Sequence, residues 1–344
     1  MDKFKEKIRN MSDTNLLLSI TIIVFFLMYI IAVVFLGAGF RKFQTFFNIL
    51  DTNAYLILLA CGLSIVMING SIDISVGGVT ALVSMCCAVY LDYSESPNLW
   101  VSVLIALGIG LAFGLIQGVL IAYLDIQPFI VTLAGMFFAR GMTTIVHTNP
   151  FNVENQEFVA LKDTRIQIPL LAQMNNNGVL IPPYIEIGAI VAIVIIIGLF
   201  FVLRYTKLGR NYYAVGGNSQ SALMLGINVK KTKFIAHVMC SVLAGIGGYI
   251  YFLHIGSGSP SHASGAEMNA IASSIIGGTM LTGGVGNLIG TFFGVLSLST
   301  IQNIVSSAGL DQAWWTGITI AAMLCLFLVI QSVVMARKQK QNKK

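Results

Sequence analysis

Ten apolar runs, near residues 16–36, 52–69, 76–91, 99–123, 128–147, 185–203, 234–254, 268–282, 286–306 and 314–335, leave this chain little choice of fold. Such a run crosses a hydrocarbon layer about 30 Å thick as a helix, because a helix satisfies its own backbone N–H and C=O groups where no water is available. Composition agrees: 56% of the 344 residues are apolar and 10% charged, where an ordinary soluble domain carries about a quarter charged residues. Mean hydropathy is +0.83. The pattern predicts an all-α polytopic membrane protein, one domain over 1–344 with ten transmembrane helices. The third and eighth runs are short and flanked by glycine, so one of them is a candidate for a broken or re-entrant helix, and eight or nine spans is the alternative count.

Lysine and arginine set the expected orientation, since positive residues at span ends stay cytoplasmic. Of 20 such residues, 15 fall in three places. These are the N-terminal tail (Lys3, Lys5, Lys7, Arg9), the long loop with its edges (Arg204, Lys207, Arg210, Lys230, Lys231, Lys233) and the C-terminal tail (Arg337, Lys338, Lys340, Lys343, Lys344). With ten spans all three lie on one side, so both termini are expected in the cytoplasm. The other side carries Arg41, Lys42, Lys162 and Arg165 among the acidic Asp92, Glu95, Glu154, Glu157, Asp163 and Asp311. This topology accounts for the net charge of +6, and no nucleic-acid partner is expected. The first run has no small-residue cleavage site after it and reads as a retained helix rather than a signal peptide. All five cysteines, Cys61, Cys86, Cys87, Cys240 and Cys325, fall inside predicted spans without ligand-like spacing to the four histidines, so neither a metal site nor a disulfide framework is expected.

Gly110, Gly114 and Gly118 repeat at every fourth position, and so do Gly286, Gly290 and Gly294, 176 residues later. Small residues at this spacing let helix backbones approach closely. The shared offset predicts two inverted halves of five helices, about 1–178 and 179–344, the plan of many transport pathways, with chance recurrence of a common motif as the alternative.

Asp73 lies between the second and third runs among Gly70, Ser71, Ser75, Gly77 and Gly78. A carboxylate facing lipid costs on the order of 3 kcal/mol, so it must face protein, water or a backbone donor. Either it caps a helix break or it lines a translocation path. Arg140, about two turns from the end of the fifth run, either snorkels to headgroups or binds a polar substrate. Glu267 begins the eighth run, where a solvated or capping role is expected. Trp100, Trp314 and Trp315 fit an interfacial belt. The outer loop from about Thr148 to Tyr184, with Pro150, Pro169, Pro182, Pro183 and the run Asn175–Asn177, is either a docking surface or disordered. No GxxxxGK[ST] phosphate loop occurs, so the chain has no evident means of hydrolysing ATP. Ser257, Ser259 and Ser261 beside His262 offer a hydrolase reading or, more simply, a turn of small residues.

Four segments carry a resemblance: GSIDISVGG (70–78), LDIQPFIVTLAGMFFARG (124–141), TKLGRNYYAVGGNSQSALMLGINV (206–229) and NAIASSIIGGTMLTGGVGNLIGTFFGVL (269–296). Together they resemble the permease subunits of bacterial sugar-importing ABC transporters of the ribose/galactose/xylose type, over nearly the whole chain. The AGMFFARG stretch and Trp314-Trp315-Thr316 look most like the second permease of galactofuranose-type systems. Ser71 and Ile74 depart from the usual Gly and Leu. The resemblance implies a multi-pass protein of the bacterial inner membrane, set in lipid and paired with itself or with a second, homologous permease. A cytoplasmic sugar ABC ATPase would use ATP and Mg, this chain holding no cofactor, and an extracytoplasmic sugar-binding protein would deliver a monosaccharide. It further implies that the loop 206–233 holds a coupling helix, for which Gly216, Gly217, Asn218, Ser219, Ser221, Leu225 and Gly226 match. Asn218 is the expected N-cap, Ser219 to Leu225 about two turns, and Gly226 the stop. Asn69, Asp73, Ser75, Gln117, Phe129, Thr132, Arg140 and Asn303 are candidates for lining the sugar path. The rival readings are a secondary transporter with a coupling proton or ion on Asp73 or Glu267, and a membrane enzyme built on Ser259 and His262.

Overall fold

The computed structural model describes residues 13–37, 39–174, 180–310 and 312–342. Lys3, Lys5, Lys7, Arg9, Asn175–Asn177, Asp311, Lys343 and Lys344 lie outside them. In chain order the helices are α1 (Asp13–Phe35), α2 (Phe43–Ile68), α3 (Val76–Tyr93), α4 (Leu99–Ala122), α5 (Pro128–Val146), α6 (Gln156–Lys162), α7 (Ile187–Tyr205), α8 (Lys207–Gly217), α9 (Ser219–Met224), α10 (Val229–Ile255), α11 (Ala266–Ile276), α12 (Leu288–Ser307) and α13 (Ala313–Asn342). Polar caps start several of them. Asn98 accepts from Trp100 N at 2.8 Å, Asn228 from Lys231 N at 2.9 Å and Asn287 from Ile289 N at 2.8 Å.

Among the described residues, nine helices are long and apolar enough to cross a membrane. The third run is one of them, and the eighth is the exception. It holds the 11-residue α11, about half a bilayer at 1.5 Å per residue, followed by the non-helical segment 277–287. Glycines at 277, 278, 283 and 284 end the helix, three of them with φ of 89°, 84° and 74°. The carbonyls released by this break find side chains from neighbouring spans. Thr21 Oγ1 donates to Ile276 O at 2.7 Å and Gln331 Nε2 to Ile275 O at 2.6 Å. The second span begins at Phe43 rather than near 52, because Asn48, Asp51 and Asn53 lower hydropathy without breaking the helix. Asn53 Nδ2 donates to Ile49 O and to Ser299 Oγ, both at 2.8 Å.

Helix α2 occupies the centre, with 89% of its most apolar window buried. Helix α10 packs on α2, α3 and α4, while α12 packs on α1, α2 and α11. Glycine sets the closest approaches. Gly110 and Gly114 meet the backbone of Ser241 and Val238, and Gly118 meets Phe234, all on α10. Gly290 and Gly294 meet Gly277 and Ser273 at the end of α11, and Gly286 meets Ile68. The two trios do not occupy equivalent places: the first lies in the second half of α4, whereas Gly286 precedes α12 and the others sit in its first turns. The offset of 176 carries α1 approximately onto α7 but does not carry α4 onto α12. What matches is the order, five long helices before 147–186 and four with α11 after it.

The described part of 148–184 is folded rather than disordered. Three two-stranded antiparallel pairs shape it: β1 (Phe151–Asn152) with β6 (Ser257–Gly258), β2 (Arg165–Gln167) with β5 (Tyr184–Glu186), and β3 (Gln173–Met174) with β4 (Leu180–Ile181). Buried Phe158 of α6 stacks on Phe252 with centroids 4.4 Å apart. Beneath it, 256–265 joins α10 to α11. Arg140 donates to the carbonyls of His262 and Ala263, the latter held at φ 50°. His262 Nδ1 pairs with Ser84 Oγ at 3.1 Å, while Ser259 and Ser261 bond each other at 3.0 Å. The serine and histidine of the hydrolase reading are thus not partners.

Substituting Gly294→Ala drives a methyl onto the Ser273 carbonyl and is expected to destabilise by about 1–3 kcal/mol, whereas Gly108→Ala meets nothing within 4 Å and leaves the unfolding midpoint in detergent unchanged. Burial, and then the Arg140 charge, lower the His262 pKa below its usual 6.5. The folded state therefore binds fewer protons than the unfolded chain, and the contribution of the neutral ring is complete above pH 6.5 and lost below it. The thermal midpoint should fall on acidification from pH 6.5 towards about 5, and His262→Gln should flatten that slope.

Candidate functional site

The segment GSIDIS opens the first of two breaks in the helical core. Asn69 ends α2, its N–H donating to the Ile65 carbonyl, and Gly70 donates to the Met67 carbonyl as it turns the chain at φ 81°. Asp73 then folds back under α3: its Oδ1 accepts from Ser75 N at 2.9 Å and from Ser75 Oγ at 2.6 Å. The carboxylate so holds the start of the helix that follows. Ser75 Oγ also donates to Gln117 Oε1 at 3.2 Å, and Gln117 Nε2 lies over Gly135, where a side chain has no room. Across from Asp73, its Oδ2 stands 3.8 Å from His237 Nδ1, both side chains fully buried.

This cluster has more polar atoms than protein partners. Asp73 Oδ2, Gln117 Nε2, both His237 ring nitrogens, Ser241 Oγ, Ser71 Oγ and both Asn69 side-chain atoms are buried with no protein hydrogen bond. Each such group costs about 1–3 kcal/mol unless a guest supplies its bond. The structure brings Asp73, Ser75 and Gln117 together, with Asn69 at the head of the same break. His237 and Ser241 were not among the sequence candidates, although two polar residues four apart on α10 share a face and carry the signal.

The remaining path candidates lie elsewhere. Thr132 is buried and turns its hydroxyl to the Pro128 carbonyl at 2.9 Å. Phe129 is 49% exposed on the bundle surface. Asn303 is exposed and bonds the Ser299 carbonyl one turn back at 2.9 Å. Arg140 holds the carbonyls of 262–263 and stands 3.8 Å from Glu267 Oε2, away from the hydrogen bonds of the Asp73 cluster. Glu267, with a side chain 12% exposed, is packed beside Gly77 rather than solvated.

The second break meets the first through backbone atoms. Gly284 N donates to Ile68 O at 2.8 Å, bridging 277–287 to the end of α2. Helix α8 ends on this bridge: a Cβ at Gly216 would overlap the Ile68 carbonyl and come within 2.7 Å of Gly284 N. Gly70 and Gly283 crowd the same point, and Tyr213 OH donates to Gly286 O at 2.9 Å. Only glycine permits three backbones to converge so closely. A Cβ at Gly217, one residue on, would meet nothing within 4 Å.

Helix α9 follows directly. Asn218 Oδ1 accepts from Ser221 N at 2.8 Å, and Ile227 N and Gly226 N close the end on Ala222 O and Leu223 O, with Gly226 at φ 79°. The helix stops at Met224, one residue before the expected end, with Leu225 as its C-cap. Ser219 and Ser221 are exposed, Ala222 anchors the helix inward, and Leu223, Met224 and Leu225 stand 64%, 87% and 79% exposed. A groove of about 730 Å³ lies alongside, reaching Asp125, Lys230 and Lys233.

Residues 45–328 match the family described as "Branched-chain amino acid transport system / permease component". The inner membrane ABC transporter permease protein YjfF of Escherichia coli strain K12 is 35% identical over 93% of this chain and 93% of its own length. The fructose import permease protein FruG of Bifidobacterium longum is 32% identical over 94% and 93%, and the ribose import permease protein RbsC of Escherichia coli strain K12 is 33% identical over 88% and 91%. No solved structure matches the chain significantly. With its broken membrane helices and the short capped helix beyond α8, the chain belongs to this family of ABC-transporter permeases.

Proposed function

We propose that the chain is the membrane-spanning subunit of an ATP-driven importer of a monosaccharide, taken in a furanose form. The observation that carries this reading is α9, a two-turn helix capped at both ends that presents Leu223, Met224 and Leu225 to solvent. Exposed apolar side chains on a rigid polar-capped element are what a groove in another protein needs as an anchor. The fructose and ribose import permeases among the relatives support a sugar as cargo, and their ABC-permease kinship favours this reading over an ion-coupled secondary transporter.

In this proposal the 206–228 face and both termini are cytoplasmic, in a bacterial inner membrane, and the two halves about 1–178 and 179–344 are inverted. A separate ATPase binds and hydrolyses ATP with Mg and grips α9. A second permease, identical or homologous, completes the pathway, and an outer sugar-binding protein docks on the folded 148–184 segment. Closure of the ATPase pulls α9 and so α8, whose Gly216 end touches both helix breaks. Movement there reorients Asn69, Asp73, Ser75, Gln117 and His237. A neutral sugar can exchange hydrogen bonds with such donors and acceptors in turn, which suits passage better than tight binding.

Affinity purification from the native membrane should recover an ATP-hydrolysing subunit with the intact chain, and lose it on deletion of 219–225 or with Leu223→Asp/Met224→Asp, while membrane insertion stays normal. Recovery of no ATPase by the intact, well-folded chain would sink the proposal. Gly216→Ala should retain the ATPase yet lower sugar uptake by about tenfold or more, equal to about 1.4 kcal/mol, with Gly217→Ala close to wild type. Equal uptake by the two variants would remove the junction from the coupling route.

A further inference from the structure

A cavity of about 430 Å³ opens where the ends of α7 and α8 meet the starts of α1 and α12. Its walls are of two kinds. Phe200, Leu203 and Leu288 make an apolar side, the last two buried at 5% and 1% exposure. Arg204 and Arg210 are exposed at its polar side with Asn287. Among the described residues neither arginine forms an ion pair with a carboxylate, and Arg210 makes one long bond of 3.4 Å to the Tyr205 carbonyl. The cavity also receives the N-terminus of the 20-residue α12, whose Ile289 N–H is already capped by Asn287.

The excess of lysine and arginine on this face explains the sign of the charge. It does not explain why two arginines from different helices converge on one cavity with an apolar wall. Arg204 closes the last turn of a membrane span, with Phe200 one turn deeper, so the cavity sits where headgroup and acyl chain meet. Guanidinium groups bind phosphate oxygens in pairs, and basic pockets between spans take lipid headgroups.

We propose that this cavity binds the phosphate of an anionic phospholipid, with Arg204 and Arg210 on the oxygens and Phe200, Leu203 and Leu288 against the glycerol and upper acyl chain. The site is separate from the Asp73 cluster and does not depend on what the chain transports. Its position gives it a consequence: Tyr213 lines the same cavity, bonds Gly286, and stands three residues before the Gly216 junction. A bound headgroup ties α7 and α8 to the start of α12.

The test is native mass spectrometry of the full chain, with any subunits that co-purify, after delipidation and titration with phosphatidylglycerol or phosphatidylcholine of matched acyl chains. Phosphatidylglycerol should be retained about tenfold better than phosphatidylcholine. Arg204→Gln/Arg210→Gln should abolish that preference, and Arg204→Lys/Arg210→Lys should restore part of it. Lys207→Gln, which removes a charge from the same face but not from the cavity, should change nothing. Equal retention of the two lipids by the wild type, an undiminished preference in the double glutamine variant, or an equal loss with Lys207→Gln overturns the proposal. Displacement of phosphatidylglycerol by millimolar inorganic phosphate overturns the lipid as the source of the anion. A failed transport assay with intact lipid preference would count against the importer reading alone.

Discussion

Everything distinctive in this molecule follows from the requirement that a backbone amide inside a bilayer have a partner. Helix α11 stops short within the bundle and the full-length α2 ends beside it at the buried segment 69–75, and each end leaves carbonyl and N–H groups that lipid cannot satisfy. The chain answers locally at the first break, where Asp73 receives the Ser75 N–H, and through distant side chains at the second, where Thr21 and Gln331 reach the last carbonyls of α11. The two breaks also answer each other, through Gly284 N and Ile68 O. Such breaks are tolerated only where the surrounding helices are already packed, which is why they sit beside α2, the most buried of the spans.

Those same breaks give a membrane bundle parts that can move. A continuous span tilts as a unit, whereas a span interrupted by glycine bends at a known place. Here the bend points lie against the end of α8, and α8 leads without a spacer into the exposed α9. In the proposed function a pull on the short helix reaches the middle of the bundle through three contacting backbones. The long basic segment then acts as a lever between a surface knob and a buried polar cluster. Phosphate held by Arg204 and Arg210 would brace the fixed end of that lever.

Much of this was legible in the residues. The hydropathy runs located the spans because the bilayer imposes length and polarity on each segment separately. The α9 cap was readable for a similar reason: Asn before the helix and Gly after it act within a few bonds. The eighth run, counted as a span but also named as a candidate for a broken helix, is the broken one: Ile276 to Leu281 is apolar enough to extend a span, but Gly277 and Gly278 end the helix. The glycine trios showed where helices pack, but their common offset, which fits α1 and α7, does not fit α4 and α12, because each trio was placed by its own neighbour, α10 for one and α11 for the other.

The sequence by itself determined the class of fold, the place of nine of its ten apolar runs as spans, the caps of the surface helix that the family resemblance pointed to, and the presence of a carboxylate at a break. These depend on interactions among residues close in the chain or between a segment and its solvent. Tertiary structure alone decided which polar residues meet. It set His237 opposite Asp73, sent Arg140 to the carbonyls of 262–263, and left Phe129 and Asn303 on the bundle surface. Rotation of a helix about its axis costs no local hydrogen bond, so no local pattern encodes it. It is settled by packing against partners far along the chain, and with it which side chains face one another.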